Sequence, residues 1–286
     1  MTFNSKLSSA VEDFAALMLP LSEKDLEQKW TWKDHDEEGV RFAFFVTLQE
    51  LRHLAVTLAA LRPKPTAAQY ILSQYHSAYM DLQAALLGLP AEEAGREPVT
   101  GEWSVQRTYA HILTTELTFT ITVRSALEKH RARDWTPERV SDADANRLAD
   151  ISDFEHESLI RGSLKNMLTY HRQFHRQVVD EFSAITDDEL ILPSTFWEET
   201  RFPIHHRLHR YEAHLVQHTV QIDKTLAALG QSAGESKRLL RKIYAALAEA
   251  EGMTIGMNRM TDTTTVAAAL SISERTKELE GLLKRS

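Results

Sequence analysis

The sequence predicts an all-α fold, and three observations support this prediction. Apolar residues recur three and four positions apart along nearly every long segment, and no clear alternation typical of strands is visible. Only 10 Gly and 8 Pro occur among 286 residues, so few positions interrupt a helix. Hydrophobic residues make up 43% and charged residues 26%, a composition that can fill the core of a globular protein.

Eight helices follow from this periodicity, and local signals mark the ends of several. Capping-box spacing in Thr186–Glu189 and in Ser232–Glu235 predicts two helix starts. Pro137, directly after Thr136, predicts the start of a further short helix. Gly230 stands where a helix end favours a left-handed residue. The eight helices are predicted near residues 5–20, 40–62, 66–89, 104–130, 158–185, 204–230, 235–250 and 266–285.

One pattern recurs three times along the chain. An apolar helix end is followed by an acidic cluster and then by a loop that contains Trp, in segments 21–32, 89–103 and 185–197. The copies represent either three αα-hairpins diverged from one unit, or acidic residues that merely begin the next helical turn. Both interpretations predict a helical bundle.

Composition excludes several classes of function and favours the cytoplasm. Cysteine is absent, so disulfides and thiolate metal sites are excluded and a reducing compartment is expected. The net charge of -8, without a dense basic run, argues against nucleic acid and anionic membranes as partners. No uninterrupted apolar stretch approaches the ~20 residues of a membrane span, and the N-terminus lacks the layout of a signal peptide.

A pair of histidines is the strongest local signal for chemistry. His214 and His218 are four residues apart, so they lie one turn apart on the same side of a predicted helix. The pair falls beside an apolar stripe that includes Tyr211 and Ile222, and we expect it to lean into the bundle. Two neutral imidazoles placed this way can share one metal ion, but they need a third ligand from elsewhere.

A second pair, His171 and His175, has the same spacing on another predicted helix. Because the charged residues Arg172, Arg176 and Asp180 surround this pair, we expect it on an exposed face rather than in a ligand set.

Two segments resemble the second and fourth helices of DinB-like proteins. In Gly101–Glu116, Trp-Ser begins the helix, a histidine follows seven residues after the Ser, and an acidic residue comes five further on. In His214–Gly230, two histidines four apart precede a Gln, an apolar residue and a terminal Leu-Gly. The resemblance implies a four-helix bundle with a long crossover between its second and third helices. It also implies that His111, His214 and His218 bind one divalent metal ion.

The resemblance covers roughly residues 66–232 and leaves two segments unexplained. The long polar connection at 131–157 fits the crossover. We expect three regions: an N-terminal helical hairpin at 1–65 packed on the bundle, the bundle at 66–232, and a C-terminal helical extension at 233–286. A homodimer is the default expectation for such a bundle.

Residues around His111 depart from the family pattern. Arg107 stands where the family often has a Glu that completes a capping box, and Thr108 stands where an apolar residue is common. On a helical wheel His111 lies off the main apolar face, within a threonine stripe that includes Thr118 and Thr122. Either this stripe faces solvent and His111 is idle, or it lines a hydrated pocket at the centre of the bundle.

The resemblance implies a metal-dependent transferase or hydrolase that acts on a small molecule. The superfamily includes thiol-dependent S-transferases and isomerases, so a low-molecular-weight thiol is a candidate cosubstrate. Zn, Ni, Fe or Mn would each suit three imidazoles, and Glu116 and Gln221 are candidates for orienting them. The alternative is a non-catalytic, stress-associated or binding module in which the histidines are structural or vestigial.

Overall fold

The computed structural model describes residues 3, 5–35, 39–196, 200–257 and 262–285. The predicted all-α fold is confirmed: these residues form thirteen helices and one pair of two-residue strands, β1 (Pro193–Ser194) and β2 (Phe202–Pro203). The helices are α1 (Ser5–Met18), α2 (Glu23–Leu26), α3 (Phe42–Leu61), α4 (Ala67–Ala85), α5 (Ala91–Ala94), α6 (Val105–Ala132), α7 (Asp142–Leu148), α8 (Asp153–Ile160), α9 (Leu164–Phe182), α10 (Asp187–Leu190), α11 (Ile204–Ala228), α12 (Glu235–Gly252) and α13 (Asp262–Leu283).

The chain divides into two compact units. Unit 1 comprises residues 1–64, 80–88 and 232–286, and unit 2 comprises residues 65–79 and 89–231. The two segments that the family resemblance leaves unexplained therefore cluster in unit 1. Residues 80–88, which the sequence analysis assigns to the bundle, belong to unit 1 as well.

Unit 1 is built on two helix pairs. Helix α3 packs against α12, and α1 packs against α13. The rings of Phe14 and Phe44 meet edge to face with centroids 5.7 Å apart, and both side chains are buried. Arg275 of α13 is fully buried; it donates to the Thr47 hydroxyl at 2.7 Å and forms an ion pair with Glu50 at 2.8 Å.

Helix α3 is long and apolar enough to cross a membrane by length and composition alone. Core helices of soluble proteins pass the same test, and α3 has the features of one. It contains Glu50 and Arg52, and it buries Leu51, Leu54 and Leu58 inside unit 1. Helix α3 thus has the character of a core helix.

Unit 2 contains the predicted four-helix bundle, formed by residues 67–79 of α4 together with α6, α9 and α11. Helix α6 packs against both α9 and α11. Helix α4 joins them through Tyr75, whose hydroxyl donates to Glu116 of α6 at 2.9 Å and whose ring lies 4.9 Å from that of Tyr211 of α11. All three side chains are fully buried, so the centre of the bundle is aromatic and polar at once.

The crossover from α6 to α9 contains two short helices at positions other than the predicted ones. The helix expected after Thr136 is wrong: residues 136–140 form no helix, and α7 begins after Ser141, whose hydroxyl caps it. The helix predicted from 158 is likewise interrupted, because α8 ends at Ile160 and Ser163 caps a new helix, α9. Each serine satisfies a backbone N–H that the helix start would leave unpaired.

Helix α11 ends as predicted at Gly230, whose φ is +76°. The N–H of Gln231 donates to the carbonyl of Leu226, and the N–H of Gly230 donates to that of Ala227, which is the Schellman arrangement. The predicted capping box from Ser232 is wrong. Helix α12 begins after Gly234, which has no side chain that could cap it, and the Glu235 carboxylate pairs with Arg41 instead.

Each copy of the threefold pattern contains a single-turn helix: α2, α5 and α10. In α2 and α10 a capping box is present, from Ser22 and Thr186 respectively, so the predicted box at Thr186 is confirmed. The acidic clusters therefore begin a helical turn, which is the simpler of the two interpretations. Trp197, the tryptophan of the third copy, lies outside the described residues.

Candidate metal centre

Helix α6 brings His111 to the site in its second turn. The Ser104 hydroxyl caps the helix by accepting a hydrogen bond from the backbone N–H of Arg107 at 3.2 Å. Arg107 has no acceptor for the reciprocal bond of a capping box, as the sequence predicts. The ring of Trp103, directly before the cap, meets the His111 ring edge to face with centroids 5.2 Å apart. This contact holds the imidazole against the start of the helix.

The threonine stripe of α6 is turned inward. Thr108 and Thr122 are buried and Thr118 is half-buried. Each hydroxyl donates to the carbonyl four residues earlier, at 2.8 to 3.0 Å, so the stripe satisfies its own polar groups inside the helix. Of the two expectations for His111, the solvent-facing stripe is the one the structure contradicts. His111 itself is half-buried.

Helix α11 supplies the other two histidines from its buried face. His214 and His218 are each 5% exposed, between the fully buried Tyr211 and Ile222. One helical turn separates them, and their ring centroids are 4.3 Å apart. The pair therefore leans into the bundle, as predicted.

The three imidazoles converge on one point. The Nε2 atoms of His214 and His111 are 3.2 Å apart. The ring centroid of His111 lies 5.1 Å from that of His214 and 4.8 Å from that of His218. One nitrogen from each ring lies within 4.8 Å of those of the other two, and this is the one cluster among the described residues that could hold a metal ion.

Gln221 fixes the orientation of one ring. Its Oε1 atom lies 2.8 Å from Nδ1 of His218, one helical turn earlier. Because an amide oxygen only accepts, Nδ1 of His218 carries the proton and Nε2 keeps its lone pair. The predicted role of Gln221, orienting an imidazole that binds metal, stays a prediction. For His214, no hydrogen-bond partner of Nδ1 is found among the described residues.

The environment of His214 and His111 favours their neutral form. Burial, followed by the neighbouring His218 and His111 and by Arg210, lowers the pKa of His214 to about 3. Burial and the proximity of His218 also lower the pKa of His111. A neutral imidazole is the form that can donate a lone pair to a metal ion, so His214 and His111 are held in the form that binds a metal ion.

The geometry fits a first-row divalent cation. Two nitrogens bound to one tetrahedral zinc at about 2.0–2.1 Å lie roughly 3.3 Å apart, close to the 3.2 Å between the Nε2 atoms of His111 and His214. Two neutral Nε2 atoms facing each other without a cation need one proton between them to avoid lone-pair repulsion. Three imidazoles also leave coordination positions open for a substrate or water.

Glu116 lies in a different network from the one predicted for it. Its Oε2 atom accepts hydrogen bonds from the hydroxyl of Tyr75 and from Nε2 of His171, each at 2.9 Å. Nδ1 of His171 is bonded to the hydroxyl of Tyr109 at 2.7 Å. Glu116 faces α4 and α9 through these bonds, so it orients His171 rather than one of the three converging imidazoles.

The expectation of an exposed face for His171 and His175 is wrong, since both are buried. Nε2 of His175 lies 2.9 Å from Nδ1 of His76, and its ring stacks on Tyr79 with centroids 3.9 Å apart. Burial, followed by the proximity of His76 and His171, lowers the pKa of His175 well below its ordinary value. The apolar stripe of α9 that includes Phe174 was the available signal for this burial.

Comparison with protein families identifies the class of this bundle. The family model of the DinB superfamily matches residues 74–222, more than half of the chain and all three converging histidines. The chain belongs to the DinB superfamily. No match is found among curated proteins or among solved structures.

Proposed function

We propose that the protein binds one divalent metal ion through His111, His214 and His218 and uses it in a metal-dependent transfer or hydrolysis reaction on a small molecule. The single observation that supports this most strongly is the convergence of three imidazoles from two helices. Membership of the DinB superfamily supports the same assignment. Zn, Ni, Fe and Mn all accept imidazole ligands, and the site contains no thiolate that would select among them.

The reaction we favour is thiol-dependent S-transfer in the cytoplasm. When bound, a divalent cation lowers the pKa of a thiol or water ligand and thereby generates a nucleophile near neutral pH. The chain itself contributes three imidazole ligands, and Gln221 fixes the ring of His218. A small molecule can reach the site from the side of His111, which is half-buried. Because the chain contains no cysteine, no thiol of the protein competes with a thiol cosubstrate.

Turnover by untagged protein tests the proposal. The protein is incubated with bacillithiol or mycothiol and an electrophile, and loss of the thiol is followed with and without added metal. We expect metal-dependent turnover that is abolished in His218→Ala. Turnover of equal rate in His218→Ala would rule out catalysis at this site. Metal binding without turnover would favour the non-catalytic helical module instead.

A further inference from the structure

Two arginines flank the three histidines in equivalent positions. Arg107 lies four residues before His111 on α6, and Arg210 lies four residues before His214 on α11. On a helix this spacing places each arginine one turn from its histidine, on the same side. Both side chains are exposed, so their guanidinium groups are available to a ligand.

Each guanidinium rests on an aromatic ring that also contacts its histidine. Arg107 lies over Trp103 at 5.1 Å from the ring centroid, and Arg210 lies over Phe119 at 5.9 Å. The Trp103 ring contacts His111, and the Phe119 ring contacts His214 with centroids 5.8 Å apart. A cation over an aromatic face keeps its N–H donors free at the edge.

Several other arginines of unit 2 are held by carboxylates. Arg96, Arg124, Arg131, Arg147 and Arg161 all form ion pairs with Glu or Asp side chains. Within the described part of the chain, the guanidinium groups of Arg107 and Arg210 have no hydrogen-bonded or ion-paired partner. Arg107 also stands where the family often has Glu, so this chain replaces a negative charge there with a positive one.

The two charges lie on opposite sides of the histidines. Thr120 of α6 bonds to Tyr211 of α11 at 2.7 Å, whereas His111 contacts His214 and His218. As residue numbers increase along α6, the numbers of the contacting residues on α11 decrease, so the two helices are antiparallel. Each arginine precedes its histidine, and the two guanidiniums are therefore displaced in opposite directions along the bundle axis.

Building on the proposed function, we infer that the substrate or thiol cosubstrate is an anion with negative groups on both sides of its reacting atom, bound by Arg107 and Arg210. Guanidinium groups bind carboxylates and phosphates through paired N–H donors. The reacting atom would lie over the histidines while one oxyanion reaches each arginine. The arginines act as specificity-determining residues and not as metal ligands.

Glutathione is a suitable probe because its thiol lies between two carboxylates, and glutathione diethyl ester removes both negative charges. Calorimetric titration compares the two thiols on metal-loaded and on metal-free protein. We expect glutathione to bind wild type about 100-fold more tightly than the ester. Arg107→Gln and Arg210→Gln should each reduce the affinity for glutathione about tenfold and leave that for the ester unchanged.

The double variant R107Q/R210Q should bind both thiols equally, whereas the matched control K165Q/K224Q removes two exposed positive charges elsewhere in unit 2 and should keep the preference. Equal affinities in wild type, or a preference retained in R107Q/R210Q, would overturn the inference. Elemental analysis of the same samples measures their metal content independently of thiol binding. A protein without metal would refute the proposed function, while its preference for glutathione over the ester still decides the role of the arginines.

Discussion

Two buried pairs of histidines with the same four-residue spacing, His171–His175 on α9 and His214–His218 on α11, lie in unit 2, and their ring nitrogens have different partners. In the α9 pair, both nitrogens of His171 are bonded to Tyr109 and Glu116, and Nε2 of His175 meets His76. In the α11 pair, Gln221 occupies only Nδ1 of His218, and Nε2 of His214 points at His111. Spacing places two rings on one helix face, whereas the partners of their nitrogens decide whether a metal ion can bind.

The α9 pair serves the stability of the bundle, and the largest expected effect on stability comes from breaking its network. Glu116→Ala leaves the buried donors of His171 and Tyr75 without an acceptor, and each unsatisfied donor costs about 1–3 kcal/mol. Denaturant unfolding of metal-free protein measures the loss. The matched variant His218→Ala should change the stability of the metal-free protein by much less, and an equal loss in both would erase the distinction between the pairs.

Acid should destabilise the bundle through His175 in the absence of metal. The folded-state pKa of His175 is lowered by burial, so below the unfolded pKa near ~6.5 only the unfolded state takes up the proton. Stability is therefore full above that pH and declines as pH falls toward the folded pKa, by about 2 kcal/mol between pH 7 and 5.

His175→Gln, a variant without a titrating group at this position, isolates that contribution. Its free energy of unfolding should depend less on pH between 7 and 5 than that of wild type. Identical pH profiles for the two proteins would show that His175 does not titrate in the unfolding reaction. His214, whose pKa is lowered to about 3, contributes a loss of the same sign over the same range.

Orientation of the α11 pair is tested by Gln221→Ala. This change frees Nδ1 of His218 and lets its ring turn, and loss of such an orienting contact lowers metal affinity about 10–100-fold. Competition with a chromophoric chelator measures the change. Gln217→Ala removes an exposed glutamine one turn away on α11 and should leave the affinity unchanged. Equal affinities in Gln221→Ala and wild type would remove Gln221 from the site.

The smallest effect is expected at the start of α6. Ser104→Ala removes the hydroxyl that accepts from the N–H of Arg107 and should cost about 1 kcal/mol of stability. Because His111 lies in the next turn, metal affinity should change only slightly. Thermal unfolding and the chelator assay together separate these outcomes, and a loss of metal as large as in Gln221→Ala would mean that the cap, rather than the bundle, positions His111.

Much of the fold could be predicted because a long helix is recognisable from the periodicity of its apolar residues. All eight predicted helices correspond to helices of the structure, and Gly230 ends α11 as expected. One error lies where a side chain has two possible partners. Glu235 was expected to cap its own helix and instead pairs with Arg41, which is distant in sequence. Such long-range competition cannot be read from local spacing.

The candidate site was predictable for a different reason from the network beside it. The motif around His111 and the His214–His218 pair carried a family resemblance, so their convergence could be expected. The motif around His111 also included Glu116, but it did not indicate that Glu116 bonds to His171. No motif marked His171 and His175 as buried, and their charged neighbours suggested an exposed face. The burial of His175 beside Phe174 follows from the whole stripe of α9, and the partner of each ring depends on three helices meeting in space.

The metal content of untagged protein tests the central claim most directly. After incubation with Zn, Ni, Fe or Mn and removal of free ions, we expect about one tightly held divalent ion per chain in wild type and less than about a tenth of that in His214→Ala. His53→Ala, which changes an exposed histidine of unit 1, should retain the full content. A wild-type protein that holds none of the four metals, or a His214→Ala variant that holds as much as wild type, would contradict the assignment.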